Sequence, residues 1–171
     1  MPWRTNLRGW RVLVILMLAQ LVAASAQGGE FPWKPGDAPP PVAGIRLGDP
    51  QERLTAVLGQ PNHTQSLGEE VWAFTYLRRG VEVLLSRSDG ASIIYLRNRA
   101  AGDIGGVRLG DHRREVLARW GDPSTGSGDT ALYVAGGWVV VLKYDRKNRI
   151  KQLGLGRVAE SSEGTYYRKD D

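Results

Sequence analysis

The chain has 171 residues, with 23 Lys and Arg against 18 Asp and Glu, and it contains no cysteine. This length corresponds to about one domain, and the lack of cysteine excludes a disulfide-stabilised scaffold, so a packed core must hold the fold. Because three arginines and no acid lie in the first 26 residues, the remainder carries 20 basic and 18 acidic residues, a balance that disfavours a nucleic-acid partner.

Residues 1–26 have the pattern of a secretory signal peptide. Three arginines precede an apolar run from Val12 to Ala19, and small residues follow up to Ala26, as in a cleaved signal. The alternative is an uncleaved anchor, but Gln20 interrupts the apolar run, which falls short of the roughly 20 residues of a spanning helix. We therefore expect cleavage, no stable membrane insertion of the mature protein, and a periplasmic or secreted location.

The segments at the two ends of the mature chain lack the pattern of a folded element. Residues 27–43 contain five prolines and several glycines, a composition that favours extended conformations, so we predict a linker there. Residues 158–171 have no apolar periodicity, which predicts a disordered tail.

One phrase occurs twice between these segments, 62 positions apart. It reads GIRLGDPQERLTAVLGQP over residues 44–61 and GVRLGDHRREVLARWGDP over residues 106–123. In each copy an aspartate (Asp49, Asp111) precedes a short apolar stripe of helical spacing, and a Gly-x-Pro sequence follows it. The pattern predicts a short helix with aspartate as its N-cap and glycine as its stop. The chain then divides into repeat 1, residues 44–105, and repeat 2, residues 106–157.

Each predicted helix is followed by three predicted strands. Two glycine-containing turns, Arg79-Gly80 and Gly136-Gly137, separate runs of β-forming residues and predict two-residue hairpins. The predicted strands are VWAFTYL, VEVLL and ASIIYL in the first copy, and LYVA, WVVVL and RIKQLGL in the second. We predict an α+β fold of two tandem units, each a short helix or helical hairpin packed on a three-stranded antiparallel meander, with the sheets side by side.

The phrase RLGD...LTAVLGQP, followed by strands rich in aromatic residues, resembles the BamE-like (SmpA/OmlA) family of small outer-membrane lipoproteins. Its duplication resembles the beta-lactamase inhibitor protein, in which two such units form one concave surface. The resemblance implies an α+β fold, and because its motif consists of structural residues it specifies the fold better than a function. The chain departs from both patterns because it has neither a lipid-bearing cysteine nor disulfides.

The sequence offers little support for catalysis, a metal or a cofactor. His112 and Glu115 are three positions apart on the second predicted helix, but no cysteine or second histidine accompanies them, and metal sites use three or four ligands. No serine lies in a Gly-x-Ser-x-Gly elbow. We predict no catalytic residue, no metal ligand and no cofactor.

The remaining feature is the sheet face that the helices leave uncovered. Alternation along the strands places an unusually apolar set of residues on this face. The members of this set that we predict to contact a partner are Leu84, Tyr95, Leu132, Val139 and Val141. We therefore predict an exported, non-enzymatic protein-binding module of the bacterial cell envelope, either an assembly factor or an inhibitor-like protein, whose partner is an envelope protein.

A hydrolase-type enzyme is the alternative. Catalytic residues often lie on loops that only folding brings together, and Asp89, Asp103 and Asp145 are predicted to lie on loops. If these carboxylates meet in one cleft, an enzyme is favoured. Their separation over different turns favours the binding module.

Overall fold

A computed structural model describes residues 29–158. The expected signal peptide, residues 1–26, and the expected tail beyond residue 158 lie outside the described residues.

The described chain is dominated by one antiparallel sheet of eight strands in the order β1-β2-β3-β4-β8-β7-β6-β5. The strands are β1 (His63–Ser66), β2 (Val71–Tyr76), β3 (Val81–Ser86), β4 (Gly90–Leu96), β5 (Thr125–Ser127), β6 (Thr130–Ala135), β7 (Trp138–Tyr144) and β8 (Ile150–Arg157). Each run of four consecutive strands is a meander, and β1 and β5 form the two edges of the sheet.

The prediction of two units with a three-stranded sheet each is therefore wrong. The third predicted strands of the two copies, β4 and β8, pair with each other from Ile93 opposite Gly156 to Leu96 opposite Leu153. A three-stranded meander leaves a row of unpaired backbone groups along its last strand, and joining the two last strands satisfies both rows. The sheet is also wider than predicted, because the short edge strands β1 and β5 add to the six predicted strands.

The described residues contain two α-helices, α1 (Gln51–Leu58) and α2 (Arg113–Trp120). Each has eight residues and depends on packing for its stability, because helices this short are marginal in water. Leu54 and Leu58 of α1, and Val116 and Trp120 of α2, are buried in one continuous core with the inner face of the sheet. No helix among residues 29–158 is long and apolar enough to cross a bilayer.

The N-caps and first residues of both helices are one residue later than predicted. Pro50 is the N-cap of α1 and makes no side-chain cap bond, whereas His112 caps α2 in a capping box with Glu115. Asp49 instead accepts a hydrogen bond from the backbone N–H of Arg46 at 2.8 Å. Asp111 accepts the corresponding bond from Arg108 at 2.9 Å, so each aspartate closes the turn before its helix.

The predicted linker is packed against the second half of the sheet over its described part. The ring of Phe31 lies 5.2 Å from that of Tyr133, and Trp33 lies 5.4 Å from Trp138. The indole N–H of Trp138 donates to the backbone oxygen of Asp37 at 2.9 Å, and Val42, at the end of the segment, is only 1% exposed. The structure corrects the linker prediction, because two aromatic side chains bury enough apolar surface to hold a proline-rich segment in place.

Candidate functional site

The open face of the sheet, opposite the helices, carries two rows of side chains that each cross six strands. The register places one row at Ala73, Leu84, Ile93, Gly156, Val139 and Val134. The second row, one pleat further along, is Thr75, Glu82, Tyr95, Gly154, Val141 and Leu132. We refer to the two rows together as the open-face strip.

All five residues predicted as contacts lie on the open-face strip. Leu84 is in the first row with Val139, and Tyr95, Val141 and Leu132 share the second row. Each is partly exposed, whereas the residues that alternate with them in the same strands belong to the core. The strip is therefore an apolar surface that the core does not use.

The middle of the open-face strip is formed by glycines of β8, which lower its surface there. The ring of Tyr95 lies across Gly154 so closely that a Cβ atom on Gly154 would be 2.6 Å from the ring. Gly156 is less crowded, since a Cβ atom there would be 3.5 Å from Ile93. The absence of side chains at these two positions allows Tyr95 to lie flat, and the strip is continuous across the junction between β4 and β8.

The open-face strip contains one charged side chain, Glu82, and further charged groups lie at its border. Arg97 donates to the carboxylate of Glu82 at 3.0 Å through its Nε atom, and Lys151 pairs with Asp129 at 2.8 Å near the other half of the sheet. Burial and the nearby Glu82 carboxylate raise the pKa of Tyr95. The Tyr95 phenol therefore stays neutral at physiological pH and presents an apolar ring with one polar atom.

The three carboxylates of the alternative hypothesis are held in three separate turns. Asp89 accepts hydrogen bonds from Ser88 and Ser86, which lower its pKa. Asp145 accepts a hydrogen bond from the backbone N–H of Arg149, and this bond lowers the pKa of Asp145. The antiparallel pairing of β4 with β8 places the turn at Asp89 and the turn at Asp145 at opposite ends of the sheet.

The carboxylate of Asp103 is likewise bonded to groups of its own loop. It accepts the backbone N–H of Gly106 at 2.8 Å and pairs with Arg108 at 3.4 Å. The three acids thus do not form the cleft that the enzyme hypothesis requires.

His112 and Glu115 do come together, in the capping box of α2. His112 Nδ1 accepts from the N–H of Arg114 at 3.2 Å, and Glu115 accepts from the N–H of His112 at 2.8 Å. Within residues 29–158 no group of three or more His, Cys, Asp or Glu residues is placed to hold a metal ion. Helix capping therefore accounts for this pair.

Two parts of the strip were not predicted from the sequence, namely Ile93 and the two glycines, Gly154 and Gly156. Ile93 lies two residues before Tyr95, on the same side of the register shift in β4, so alternation along the strand places both side chains on the open face. The glycines at alternate positions of an otherwise apolar strand were the available signal, since glycine inside a strand often marks a close approach of another group.

No family model matches the chain, and no curated protein matches it. Among solved structures it is similar to a cysteine-rich secretory protein from Staphylococcus aureus, with a TM-score of 0.57 and 14% identity over 75% of this chain and 50% of that one. It is also similar to an extracellular protein containing a SCP domain from Bacillus anthracis, with a TM-score of 0.54 and 12% identity over 71% and 47% of the two chains.

A DUF4309 family protein from Bacillus subtilis has a TM-score of 0.46 and 11% identity over 64% of this chain and 79% of that one. The chain spans about half the length of the first two neighbours. At these identities the likeness to the first two structures shows the fold alone. Neither of them is described as a BamE-like protein or a beta-lactamase inhibitor protein, so that resemblance stays a prediction.

Proposed function

We propose that the chain is an exported, non-enzymatic protein-binding module of the cell envelope, an assembly or inhibitor-like factor, that binds an envelope protein through the open-face strip. The observation that carries the proposal is the strip itself: two continuous rows of mainly apolar residues that cross six strands. Contiguous apolar surface of this kind on a folded protein typically marks an interaction site.

The size of the strip suits the centre of an interface. Six strands at about 4.8 Å spacing span about 24 Å, and two rows of side chains cover about 13 Å along the strands, which gives an area on the order of 300 Å². A standard protein interface buries roughly 800 Å² on each partner, with an apolar centre and a polar rim. The Glu82–Arg97 and Lys151–Asp129 pairs are placed to supply such a rim.

The sheet also holds this surface in a fixed conformation before any partner binds. Every strand that contributes to the strip is hydrogen-bonded on both sides, because β1 and β5 form the outer edges. A preorganised surface loses little conformational entropy on binding.

Export is supported by the signal-like pattern of residues 1–26. Two structural neighbours are described as secretory or extracellular, which agrees with this proposal at the level of the fold. Fractionation of cells that make the full chain, followed by N-terminal sequencing of the purified protein, tests it. We expect an envelope or extracellular protein that begins at Gln27, and an intact N-terminus in the cytosol would contradict export.

The binding role is tested by a photo-crosslinking amino acid at Val139, compared with the same probe at Arg114 on the helix side. We expect one envelope protein to be crosslinked from Val139 and not from Arg114. The purified partner is then titrated with the wild type and with the V139D/V141D variant, in which two carboxylates enter the middle of the strip. We expect the affinity to fall by at least about a hundredfold, since each buried unpaired charge costs several kcal/mol.

Ala56→Asp is the matched control. Ala56 is exposed on α1, which packs on the other face of the sheet, so an aspartate there should leave the affinity unchanged. Equal binding by the V139D/V141D variant, shown to be folded by its melting transition, would refute the assignment of this surface.

A further inference from the structure

A second feature lies at the opposite side of the first half of the sheet, where α1 ends beside the β2–β3 turn. A cavity of about 430 Å³ opens there. Its lining contains two arginines, two amides, one tyrosine and no acid, and consists of Leu58, Gly59, Gln60, Asn62, Tyr76, Arg78 and Arg79.

Tyr76 lines this cavity, and its hydroxyl is buried and unsatisfied. Its side chain is 2% exposed, and its hydroxyl has no hydrogen-bond partner. An unpaired buried hydroxyl is unfavourable, so it calls for an explanation. Burial raises the pKa of Tyr76, which keeps the hydroxyl protonated and available as a donor.

The second half of the sheet has a matched position in which this donor is satisfied. Tyr133 of β6 donates to the backbone oxygen of Gly121, the C-cap of α2, at 2.9 Å. The surroundings correspond as well: Ser124 accepts the backbone N–H of Val134, as Asn62 accepts that of Leu77. Tyr76 therefore has the position of Tyr133 without its bond.

The space beside Tyr133 is filled by the N-terminal segment of the chain. The ring of Phe31 packs against Tyr133 and Trp120 at 5.2 and 5.4 Å. A Cβ atom on Gly121 would be within 2.2 Å of the backbone oxygen of Gly29. No described segment fills the corresponding space beside Tyr76, where the cavity is found.

The charges at the two positions differ. Arg78 and Arg79 line the cavity, and neither forms an ion pair within residues 29–158. Helix α1 ends here, and its C-terminus carries about half a negative charge. The two guanidinium groups carry more positive charge than this, so the cavity is positive overall. Guanidinium groups match the planar arrangement of oxygens in carboxylates and phosphates.

We propose that this cavity binds a small oxyanion of charge −2, a phosphate or a dicarboxylate, through the guanidinium groups of Arg78 and Arg79, and that a small movement of the Tyr76 side chain lets its buried hydroxyl donate to the bound anion. The amides of Gln60 and Asn62 border the same space and add neutral polar contacts. The site is separate from the open-face strip, so it does not depend on the proposed function.

The test is a titration of the folded protein with inorganic phosphate and, separately, with succinate, followed by two-dimensional amide NMR and calorimetry. We expect saturable shifts of the amides of Gly59, Arg79 and Gly80 with at least one probe, and none around Gly121. The probe that binds more tightly distinguishes phosphate from dicarboxylate chemistry.

Two variants test the donors. R78Q/R79Q should weaken binding by about tenfold or more, because hydrogen bonds to charged groups are among the strongest. Y76F should weaken it by about fivefold through the loss of one neutral donor. R114Q/R146Q removes the same charge from exposed positions elsewhere and should leave the affinity unchanged, as should Y133F.

Two results would overturn the proposal. One is the absence of saturable shifts at Gly59, Arg79 and Gly80 with either probe. The other is equal weakening by R78Q/R79Q and by R114Q/R146Q, which would reduce the effect to net charge. Melting curves of all variants establish that each is folded in the titration.

Discussion

The ring of Tyr95 on β4 lies across Gly154 on β8, and this contact joins the two halves of the sheet on its open face. A Cβ atom on Gly154 would be 2.6 and 2.7 Å from two ring carbons of Tyr95, distances that no packed structure tolerates. The neighbouring Gly156 has room, with its nearest contact at 3.5 Å. The two glycines are one pleat apart in one strand, so they form a matched pair.

Gly154→Ala should destabilise the protein by roughly 1–3 kcal/mol, because overpacking displaces the Tyr95 ring. Gly156→Ala should be neutral or slightly stabilising, since alanine reduces the entropy of the unfolded chain. Urea denaturation measures both free energies of unfolding. In a Tyr95→Ala background the cost of Gly154→Ala should largely disappear. Equal stability of the two single variants would contradict this placement of Tyr95.

Trp33→Ala should lower the free energy of unfolding by about 2 kcal/mol or more, because Trp33 packs against Trp120 and Trp138. Lys34→Ala is the control, since Lys34 is exposed and only its backbone forms a bond, to Asp37. Its effect should stay within about 0.5 kcal/mol. Chemical denaturation followed by tryptophan fluorescence measures the free energy of unfolding of both variants. If both variants match the wild type, residues 29–43 behave as the spacer that their composition predicts.

Asp49→Ala should cost about 1 kcal/mol, the value of one hydrogen bond to the Arg46 backbone. Asp111→Ala should cost more, because Asp111 also pairs with Arg99 at 2.8 Å. Amide hydrogen exchange distinguishes the two possible roles of Asp49, closing the turn before α1 and capping α1. The amide of Arg46 should exchange faster in Asp49→Ala, while the first-turn amides of α1 keep their protection. Faster exchange confined to α1 would instead support the helix-cap interpretation.

Alkaline pH should destabilise the protein through Tyr133. Burial, with smaller contributions from Tyr144 and Asp122, raises the pKa of Tyr133 from its usual value of about 10 to about 12. The folded state thus holds the proton more tightly than the unfolded state. Its contribution is fully present below pH 10 and is lost as the pH rises through about 12.

Urea melts across this pH range should show the loss of stability, with tyrosinate absorbance as the titration signal. Tyr133→Phe should flatten that part of the pH dependence while lowering stability at neutral pH, because the bond to Gly121 is lost. An unchanged alkaline profile in this variant would assign the effect to other tyrosines.

Local sequence patterns determined the local structure. The Gly59 and Gly121 stops end the two helices as predicted, and alternation along β3 and β7 placed Leu84, Val139 and Val141 on the open face. These features depend on neighbours within a few residues, where backbone conformation and side-chain spacing limit the choices. The same local rules assign residues to a face of the sheet, but they do not specify what that face binds.

Only the tertiary structure decided how the elements combine. The pairing of β4 with β8 depends on contacts between residues about 60 positions apart, and no local pattern specifies which free strand edge meets which. Phe31 and Trp33 looked like isolated aromatic residues in a proline-rich segment until the aromatic surface of Trp120, Tyr133 and Trp138 was assembled beside them. The unpaired hydroxyl of Tyr76 likewise has meaning only beside Tyr133, because burial and hydrogen-bond satisfaction are properties of the folded chain.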